Sequence, residues 1–431
     1  MSASTTSARR WPPAVKLVMG ARFARSVGQG ALVVGFTLYL SALGWNAAAI
    51  GAVLSAALLF GVVLTLAIGP ASDRLGRRKF LLGYECVAGA SAVMALASGR
   101  TDVLIVATIL GSFGRGANGA AGPFGPLEQA WLAQDLPPDE TPRVFNLNSM
   151  LGFTGMAVGA MLAGLPAVWS RALPGPLAYR PLFVLPLLGS AIGFLLIWKA
   201  PEAGRAPRPA APARRAATGA PAAPKSEIRR MENRLLRRLA FANALNGLGI
   251  GLIAPLMAYW FMRRFGHGPA SIGPALAAGF LLAALGTQLS QLIVARMGVV
   301  RTVVVMRSVG IVLMLLTPLV PVFFVAAAVW AVRAAFNQGT MGVRQALSMG
   351  LTRQHRRGLA ATVNNVSIQV PRAIGPAIAG LMLHRGWLTA PFVLAALFQF
   401  GYLVLYERFF GDLASVEAQA PAAVATVRVE A

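Results

Sequence analysis

Long apolar blocks follow one another along almost the whole chain, separated by short polar connections. Each block is roughly 18 to 28 residues long, and a helix with a rise of about 1.5 Å per residue needs ~20 residues to cross a ~30 Å hydrocarbon core. Hydrophobic residues make up 56% of the 431 residues and charged residues only 12%, a balance that soluble globular domains rarely have. The pattern predicts an all-α membrane protein with twelve transmembrane helices, at about 17–41, 47–68, 79–98, 103–133, 144–166, 180–199, 235–262, 270–294, 302–319, 322–348, 360–384 and 390–410.

Basic residues are concentrated in every second connection between the blocks. The formal net charge is +25, and much of it comes from the stretches 9–16, 74–79, 199–238 and 353–357. Because Lys and Arg accumulate in cytoplasmic connections, we expect an inner-membrane protein with both termini in the cytoplasm. The same distribution argues against a nucleic-acid partner. Arg22 and Arg25 interrupt the first block, which we therefore interpret as a retained first helix rather than a signal peptide.

The chain contains an internal repeat. Residues 43–51 align with residues 265–273 at a shift of 222, and Arg74-Leu75-Gly76 falls on Arg296-Met297-Gly298 at the same shift. Further along, a shift of 216 aligns Asn148, Gly159 and Gly164 with Asn364, Gly375 and Gly380. Each half holds an even number of spans, so the repeats share one membrane orientation and are related by an axis along the membrane normal.

The repeat predicts two pseudo-symmetric six-helix bundles around a polar site at the midplane. We assign residues 1–200 to the N-terminal bundle and residues 232–411 to the C-terminal bundle. The segment 201–231 is rich in Ala, Pro and Arg without apolar periodicity, which indicates a flexible cytoplasmic linker. Residues 412–431 are expected to form a cytoplasmic tail.

The connection between the second and third blocks carries the most specific motif. It reads Gly69-Pro70-Ala71-Ser72-Asp73-Arg74-Leu75-Gly76-Arg77-Arg78. It resembles the signature loop of the major facilitator superfamily: a Gly, three variable residues, an Asp, a basic residue, any residue, a Gly and two basic residues. The resemblance implies a twelve-helix secondary transporter that works by alternating access.

The physical role of this loop follows from its residue types. Asp73 could pair with neighbouring cations or with a helix N-terminus and so latch the two halves, while the glycines permit a tight turn. A positive-inside anchor without a switching role is the alternative. Ala295 occupies the position of Asp73 in the second half, so gating is assigned to the first loop only: Gly69, Asp73, Arg74, Gly76, Arg77 and Arg78.

Arg115 and Gly119, in the fourth block, resemble a second signature of the superfamily, one linked to proton coupling in antiporters. An Arg inside a span costs a few kcal/mol on insertion scales and is a functional hypothesis by default. A structural Arg bonded to backbone carbonyls is the alternative.

Glu85 and Glu128 are the carboxylates that we place within the hydrocarbon region. A desolvated carboxylate near an Arg suits the uptake and release of a proton, with structural pairing as the alternative. On a straight fourth helix Arg115 and Glu128 would point to different faces about 20 Å apart, so we expect no direct pair. Glu128 is expected near the cytoplasmic mouth, where it could exchange ion-pair partners with the loop cations Arg74 and Arg77. Asp135 is the alternative residue for this role.

Polar side chains within spans should face the interior of the bundle, where they line a cavity or bond between helices. Arg333 and Asn337 lie four residues apart on one face of the tenth span. The candidate cavity lining is Gln29, Tyr39, Asn118, Asn243, Asn246, Tyr259, Arg333, Asn337 and Gln338.

These features favour a secondary transporter of a small organic solute, with proton-coupled efflux as the preferred mode. Uptake or facilitated diffusion of a sugar, amino acid or organic acid is the alternative, because the fifth span lacks the Gly-Pro element of drug-export antiporters. A non-transporting sensor or scaffold is the alternative from another class. The three histidines show no catalytic or metal spacing, and no Lys follows a Gly as a phosphate loop requires. We therefore expect no enzyme, cofactor or metal, and a monomer whose partners are its solute, protons and the lipid bilayer.

Overall fold

The computed structural model describes residues 11–115, 125–134, 136, 140–201, 225–341, 344 and 357–427, except for the side chains of some helical residues. The described residues are helical, with no strand among them. The helices are α1 Pro13–Ala42, α2 Ala47–Leu75, α3 Arg77–Ala97, α4 Thr101–Gly111, α5 Gly125–Gln134, α6 Thr141–Leu162, α7 Pro166–Trp169, α8 Val184–Lys199, α9 Lys225–Gly251, α10 Met257–Phe265, α11 Pro269–Met297, α12 Val299–Leu316, α13 Phe323–Gly339, α14 Arg357–His384 and α15 Ala390–Val427, with 3-10 segments at Gly175–Phe183 and Ala254–Leu256.

Nine helical segments within the described residues are long and apolar enough to cross a membrane. Many of their large apolar side chains are exposed, including Leu292, Val63 and Phe400, as expected of surfaces that face lipid rather than water. Cys86 also lies on an exposed face of α3. The nine segments are Ala47–Ile68, Arg77–Ala97, Arg143–Trp169, Gly175–Lys199, Glu232–Phe265, Pro269–Met297, Val299–Leu316, Thr362–His384 and Ala390–Phe410.

The internal repeat is reproduced in the helix boundaries. Both α2 and α11 are 29 residues long. The first residue of α11 is 222 residues after the first residue of α2, and their last residues are separated by the same number. Both end at a glycine with positive φ, 93° at Gly76 and 78° at Gly298, after which α3 and α12 begin at once. A positive φ favours glycine, so the matching sequence Arg-x-Gly encodes the same turn in both halves. The predicted pair of pseudo-symmetric bundles is confirmed.

The predicted fourth span is wrong as a continuous helix. Within 103–133, α4 ends at Gly111 and Ser112 caps it in the left-handed conformation, with φ 51°, followed by Gly114 with φ 65°. Helical structure is described again only from Gly125. A chain that turns at residues 112–114 cannot keep the helical phase on which the distance between Arg115 and Glu128 was estimated.

Three other boundaries differ from the expected ones. The seventh span is interrupted by the 3-10 segment around Pro255, because proline cannot donate a helical hydrogen bond. Helix α9 begins at Lys225, inside the predicted linker, and α15 continues to Val427, inside the predicted tail. Both additional helical stretches continue helices that belong to the bundles.

The two halves are joined mainly at one end of the bundle. We call the end with the turns at Gly76 and Gly298 the loop end, and the end with Gly44 and Gly266 the far end. One large apolar core draws on both halves, whereas a second core at the loop end contains residues of the N-terminal half only. The far ends of α2 and α14, and of α6 and α11, pack against each other.

Glycines make the close approach at the far end possible. A Cβ on Gly51 of α2 would lie 2.2 Å from the carbonyl oxygen of Pro376, and one on Gly273 of α11 would lie 2.5 Å from that of Ala160. Towards the loop end of α11, Gln288 and Gln291 are exposed, and the described contact there is that of the Gln288 amide with the sulfur of Met150 in α6, at 3.2 Å. The conformer is therefore closed between the halves at the far end.

Candidate functional site

One face of α1 connects two pockets in the middle of the protein. Arg22, Arg25, Ser26 and Gln29 line the first pocket and Val33 lines the second, a spacing that places all five on one side of the helix. Gln29 and Val33 lie only about 6 Å apart along the helix axis. The pockets have about 40 Å³ and about 30 Å³ open to the centres of water-sized molecules, so each is narrow in this conformer.

The N-terminal pocket is built around a buried group of opposite charges. Arg25 binds Glu85 of α3, with 3.1 Å between Nε and Oε1, and also pairs with Glu128 of α5. Arg22 lies 3.6 Å from the second oxygen of Glu128. Both glutamates are almost completely buried, at 2% and 1% exposure. Glu128 thus pairs with arginines of α1, and its expected exchange with the loop cations Arg74 and Arg77 stays a prediction, since the side chain of Arg74 lies outside the described part.

A glycine and a tyrosine pack against this group of charges within the N-terminal bundle. Gly193 of α8 gives Glu85 its space, since a Cβ there would lie 2.7 Å from Oε1 of the carboxylate. Arg115 lines the same pocket and donates a 2.8 Å hydrogen bond to the hydroxyl of Tyr84. Arg115 therefore neighbours the ion pairs through Tyr84.

A second arginine connects this pocket to the other half. Arg372 of α14 donates a 2.6 Å hydrogen bond to the backbone carbonyl of Arg115 and a 3.1 Å bond to Gln369. Nearby, Ser55 of α2 accepts a 2.9 Å hydrogen bond from the backbone of Ala377. These two bonds cross between the halves, so a rocking movement that opens the far end would have to break them.

The signature loop makes its described contacts within the N-terminal half. Arg77 donates a 2.7 Å hydrogen bond to the carbonyl of Ala130 in α5, and Arg78 donates to the carbonyl of Trp198 at the end of α8. Gly69 lies within the helical backbone of α2, and the side chains of Asp73 and Arg74 lie outside the described part. The gating role of the loop stays a prediction.

The C-terminal pocket is lined by three of the predicted cavity residues, Arg333, Asn337 and Gln338 of α13. Arg333 is 5% exposed, lies 4.6 Å above the ring of Trp330 and contacts the sulfur of Met314 at 3.2 Å. The rest of the lining is apolar: Val33, Ile250, Ala254, Met257, Leu276, Gly279, Phe280, Ala283, Trp330 and Ala334.

A further buried arginine, Arg307 of α12, lies behind this pocket. Its guanidinium donates to the side-chain oxygens of Asn337 and Asn246 and lies 5.4 Å from the ring of Tyr402. Asn337 therefore belongs both to the pocket lining and to the partners of Arg307. Neither Arg307 nor Arg333 forms an ion pair with a carboxylate of the described residues.

The other candidate cavity residues lie apart from the pockets or outside the described residues. Asn243 bonds Asn364 at 2.9 Å within the C-terminal half, which corresponds to the alternative of a bond between helices. Tyr39 packs among aromatic rings, 5.6 Å from Phe183, and Tyr259 is likewise buried outside both pocket linings. Asn118 and Asp135 lie outside the described residues.

Four arginines of this centre were not predicted as site residues: Arg22, Arg25, Arg307 and Arg372. The signal was present, because each is an ionisable residue within an apolar block, where it is costly. Arg22 and Arg25 were considered only as interruptions of a signal peptide.

Two helical repeats, each with a buried pocket that contains arginine, are typical of multi-pass membrane transporters. Residues 18–237 and 239–427 match the family model of the Major Facilitator Superfamily, which covers nearly the whole chain. The chain belongs to this superfamily. It is therefore a transporter and not an enzyme, and the expected family is confirmed.

Curated relatives resemble only part of the chain. It is 27% identical over 158 residues to the uncharacterized membrane protein YJR124C of Saccharomyces cerevisiae, covering 35% of this chain and 34% of the relative. It is 28% identical over 152 residues to the uncharacterized MFS-type transporter YdeE of Escherichia coli, covering 35% and 36%. The matched region thus spans about a third of each relative.

Solved structures resemble nearly the whole chain in fold. A mutant of the nucleoside transporter NupG matches with a TM-score of 0.68 at 12% identity, covering 92% of this chain and all of that one. An inward-facing, unoccupied bacterial homolog of the human lysosomal transporter Spinster gives 0.67 at 15%, covering 93% and 97%. The human organic anion transporter MFSD10 gives 0.57 at 17%, covering 91% and 99%. At these identities the likeness bears on the fold alone.

Proposed function

We propose that this protein is a proton-coupled secondary transporter that exports a small organic solute by alternating access. The observation that carries the proposal is the pair of buried carboxylates, Glu85 and Glu128, held by arginines of α1 beside a pocket. A carboxylate buried in a membrane domain is costly and is found where a proton or ion is exchanged. Paired with an arginine it stays charged, and when that pairing weakens it takes up a proton.

The hydrogen bond between Arg372 and Arg115 would couple the protonation of the carboxylates to the conformation of the protein. In this conformer Arg372 brings a C-terminal cation to the N-terminal pocket, close to the group that contains Glu85. Rocking of the halves would withdraw this charge, which makes protonation of the carboxylates more favourable. Protonation and access would then alternate together.

The proposal includes a topology. The basic loop end would face the cytoplasm of an inner membrane, in accordance with the positive-inside rule, and the closed far end would face outward. We propose a monomer, because the two pockets and the surfaces around them are formed by one chain. Asp73 would act at the loop end, where it stabilises the outward-open conformer.

Solute-driven proton movement in proteoliposomes tests this function. A panel of lipophilic cations, sugars, amino acids and organic acids is added to lightly buffered vesicles that contain the wild type, Glu128→Gln or Glu85→Gln, while external pH is recorded. We expect a solute-dependent pH change in the wild type and its loss in both variants. Asp102→Asn is the matched control, because Asp102 is an exposed carboxylate in an ion pair of 2.9 Å with Arg100 and is far from the pockets.

The alternative of a facilitator or uptake permease predicts a different result. Solute counterflow without any pH change, equal in the wild type and in both glutamate variants, would contradict proton coupling and return the carboxylates to a structural role. Direction is read from the same vesicles by imposing a proton gradient of either sign.

A further inference from the structure

The C-terminal pocket contains a positive charge, that of Arg333, which pairs with no carboxylate of the described residues. Between residues 233 and 406 the sequence has no Asp or Glu, so helices α10 to α14 carry no carboxylate. Glu85 and Glu128 of the other half are already bound to Arg22 and Arg25. A buried cation without an anion is unfavourable by several kcal/mol or more unless something else compensates it.

The described partners of the two arginines compensate them only partly. Arg307 has amide oxygens and an aromatic face, which leave it hydrogen-bonded though not neutralised. Arg333 has a thioether sulfur and the ring of Trp330, and its Nε has no hydrogen-bond partner although it is buried. Of the two, Arg333 lines the pocket directly, so its unused donor is available to a molecule that enters there.

We propose that this pocket binds the transported solute and that the solute is a small organic anion, whose charged group pairs with Arg333. A guanidinium presents two parallel donors that fit a carboxylate or sulfonate. Asn337 and Gln338, about one turn further along α13, also line the pocket and would hydrogen-bond the charged group of the same solute. The inference rests on the proposed transport function and names its substrate class.

The remaining lining indicates the other part of the solute. Trp330, Phe280, Met257 and Leu276 provide an apolar surface around the arginine. Such a lining favours a compact apolar or aromatic body attached to the anionic group and disfavours a sugar, whose hydroxyls would be left without partners. A cationic solute would meet repulsion from Arg333 and Arg307 together.

Equilibrium binding tests the substrate class without requiring transport. Detergent-solubilised wild type is titrated with three probes that share one ring, namely benzoate, benzamide and benzylammonium, and binding is followed by thermal stabilisation and tryptophan fluorescence. We expect benzoate to bind and the other two to bind at least tenfold more weakly. Arg333→Gln should weaken benzoate binding by tenfold to a hundredfold, since a charge-assisted bond is lost.

Two comparison variants separate this inference from other effects. Arg385→Gln removes an exposed arginine that lies 5.5 Å from the ring of Trp387, and it should leave benzoate binding unchanged. Glu128→Gln should lose proton movement and keep benzoate binding, so failure of proton coupling and failure of anion binding are distinguishable. Benzylammonium or benzamide binding as well as benzoate, or equal benzoate affinity in Arg333→Gln and wild type, would overturn the proposal.

A cysteine measurement decides the matter if none of the three probes binds. Gln338→Cys is introduced with Cys86→Ala, which removes the only native cysteine, and its rates of reaction with an anionic and a cationic methanethiosulfonate are compared. Each rate is first normalised by the rate of the same reagent with a free thiol in solution. We expect the normalised rate of the anionic reagent to be about tenfold higher than that of the cationic reagent, and Arg333→Gln to remove that difference. Equal normalised rates in both backgrounds would show that the pocket does not attract anions and would contradict the inference.

Discussion

In the N-terminal half the buried arginines of α1 face carboxylates from α3 and α5, whereas in the C-terminal half Arg307 and Arg333 face amides, sulfur and aromatic rings. The backbone does not explain this contrast, because α2 and α11 have equal lengths and end in equivalent glycine turns. The repeat has kept its helices and diverged in its charges. The N-terminal half supplies carboxylates for two of its buried arginines, which is the basis of the proposed proton site. Arg333 of the C-terminal half pairs with no described carboxylate, which is the basis of the proposed anion site.

The arginines that pair with carboxylates and those that do not should differ most in how their removal changes the stability of the protein. Arg25→Leu leaves Glu85 without its ion-pair partner, and breaking a buried pair from one side costs about 3–5 kcal/mol. Arg333→Leu leaves no carboxylate behind, so the stability of the protein should be unchanged or higher. Thermal unfolding of the purified variants in one detergent measures both effects.

A rescue variant separates lost charge pairing from lost packing. Combining Arg25→Leu with Glu85→Gln should recover part of the stability, because the carboxylate left behind is then neutral. If Arg333→Leu destabilises as strongly as Arg25→Leu, or if the double variant recovers nothing, the two halves do not differ in the way that their contacts indicate.

The second comparison concerns the two glycine turns. Gly76→Ala and Gly298→Ala each force a residue with a Cβ into a φ of 93° or 78°, which costs about 1–3 kcal/mol. Stability should therefore fall by similar amounts in both variants. Only Gly76→Ala should also slow transport, because only the first loop carries an acidic residue, and Ala295 replaces it in the second. Unfolding temperature and initial transport rate are measured on the same preparations.

Gly310→Ala is the control for these turns. A Cβ there meets no heavy atom within 4 Å, and the residue is in the interior of α12, where alanine is favoured over glycine by about 0.5–1 kcal/mol. It should raise stability slightly and leave transport unchanged. Equal slowing of transport by both turn variants would remove the special role of the first loop.

These halves also show how far the sequence determines the structure. A tight turn was expected in the first loop, and the 222-residue shift aligns Gly76 with Gly298, where the same turn is found, because a positive φ depends on a few adjacent residues. The partners of Arg25 could not be predicted in the same way, since Glu85 and Glu128 are 60 and 103 residues away and no local pattern joins them. The break at Ser112 was missed because a Ser in the left-handed conformation is rare and because the span was assigned on length and apolarity, although Gly111, Gly114 and Gly116 disfavour a helix there.

The predicted cavity residues show the same difference between what local sequence determines and what helix packing determines. Arg333, Asn337 and Gln338 line one pocket, and their grouping was foreseeable because they share one face of a single helix. Tyr39 and Asn243 are polar residues in spans that satisfied the same rule and pack or bond away from the pockets. Periodicity on one helix identifies a face, while the choice between a cavity and a neighbouring helix depends on how several helices pack.

The smallest expected effect on stability belongs to the loop carboxylate itself. Asp73→Asn keeps the size of the side chain and removes its charge, so the free energy of unfolding should change by no more than about 0.5 kcal/mol. Transport should slow several-fold, because a neutral amide holds a cation or a helix N-terminus less strongly than a carboxylate. Asp102→Asn, an exposed carboxylate at the far end, makes the same chemical change away from the loop and should transport at the wild-type rate. Wild-type transport by Asp73→Asn would mean that the first loop, like the second, only anchors the helices, and the asymmetry between the halves would then be confined to their pockets.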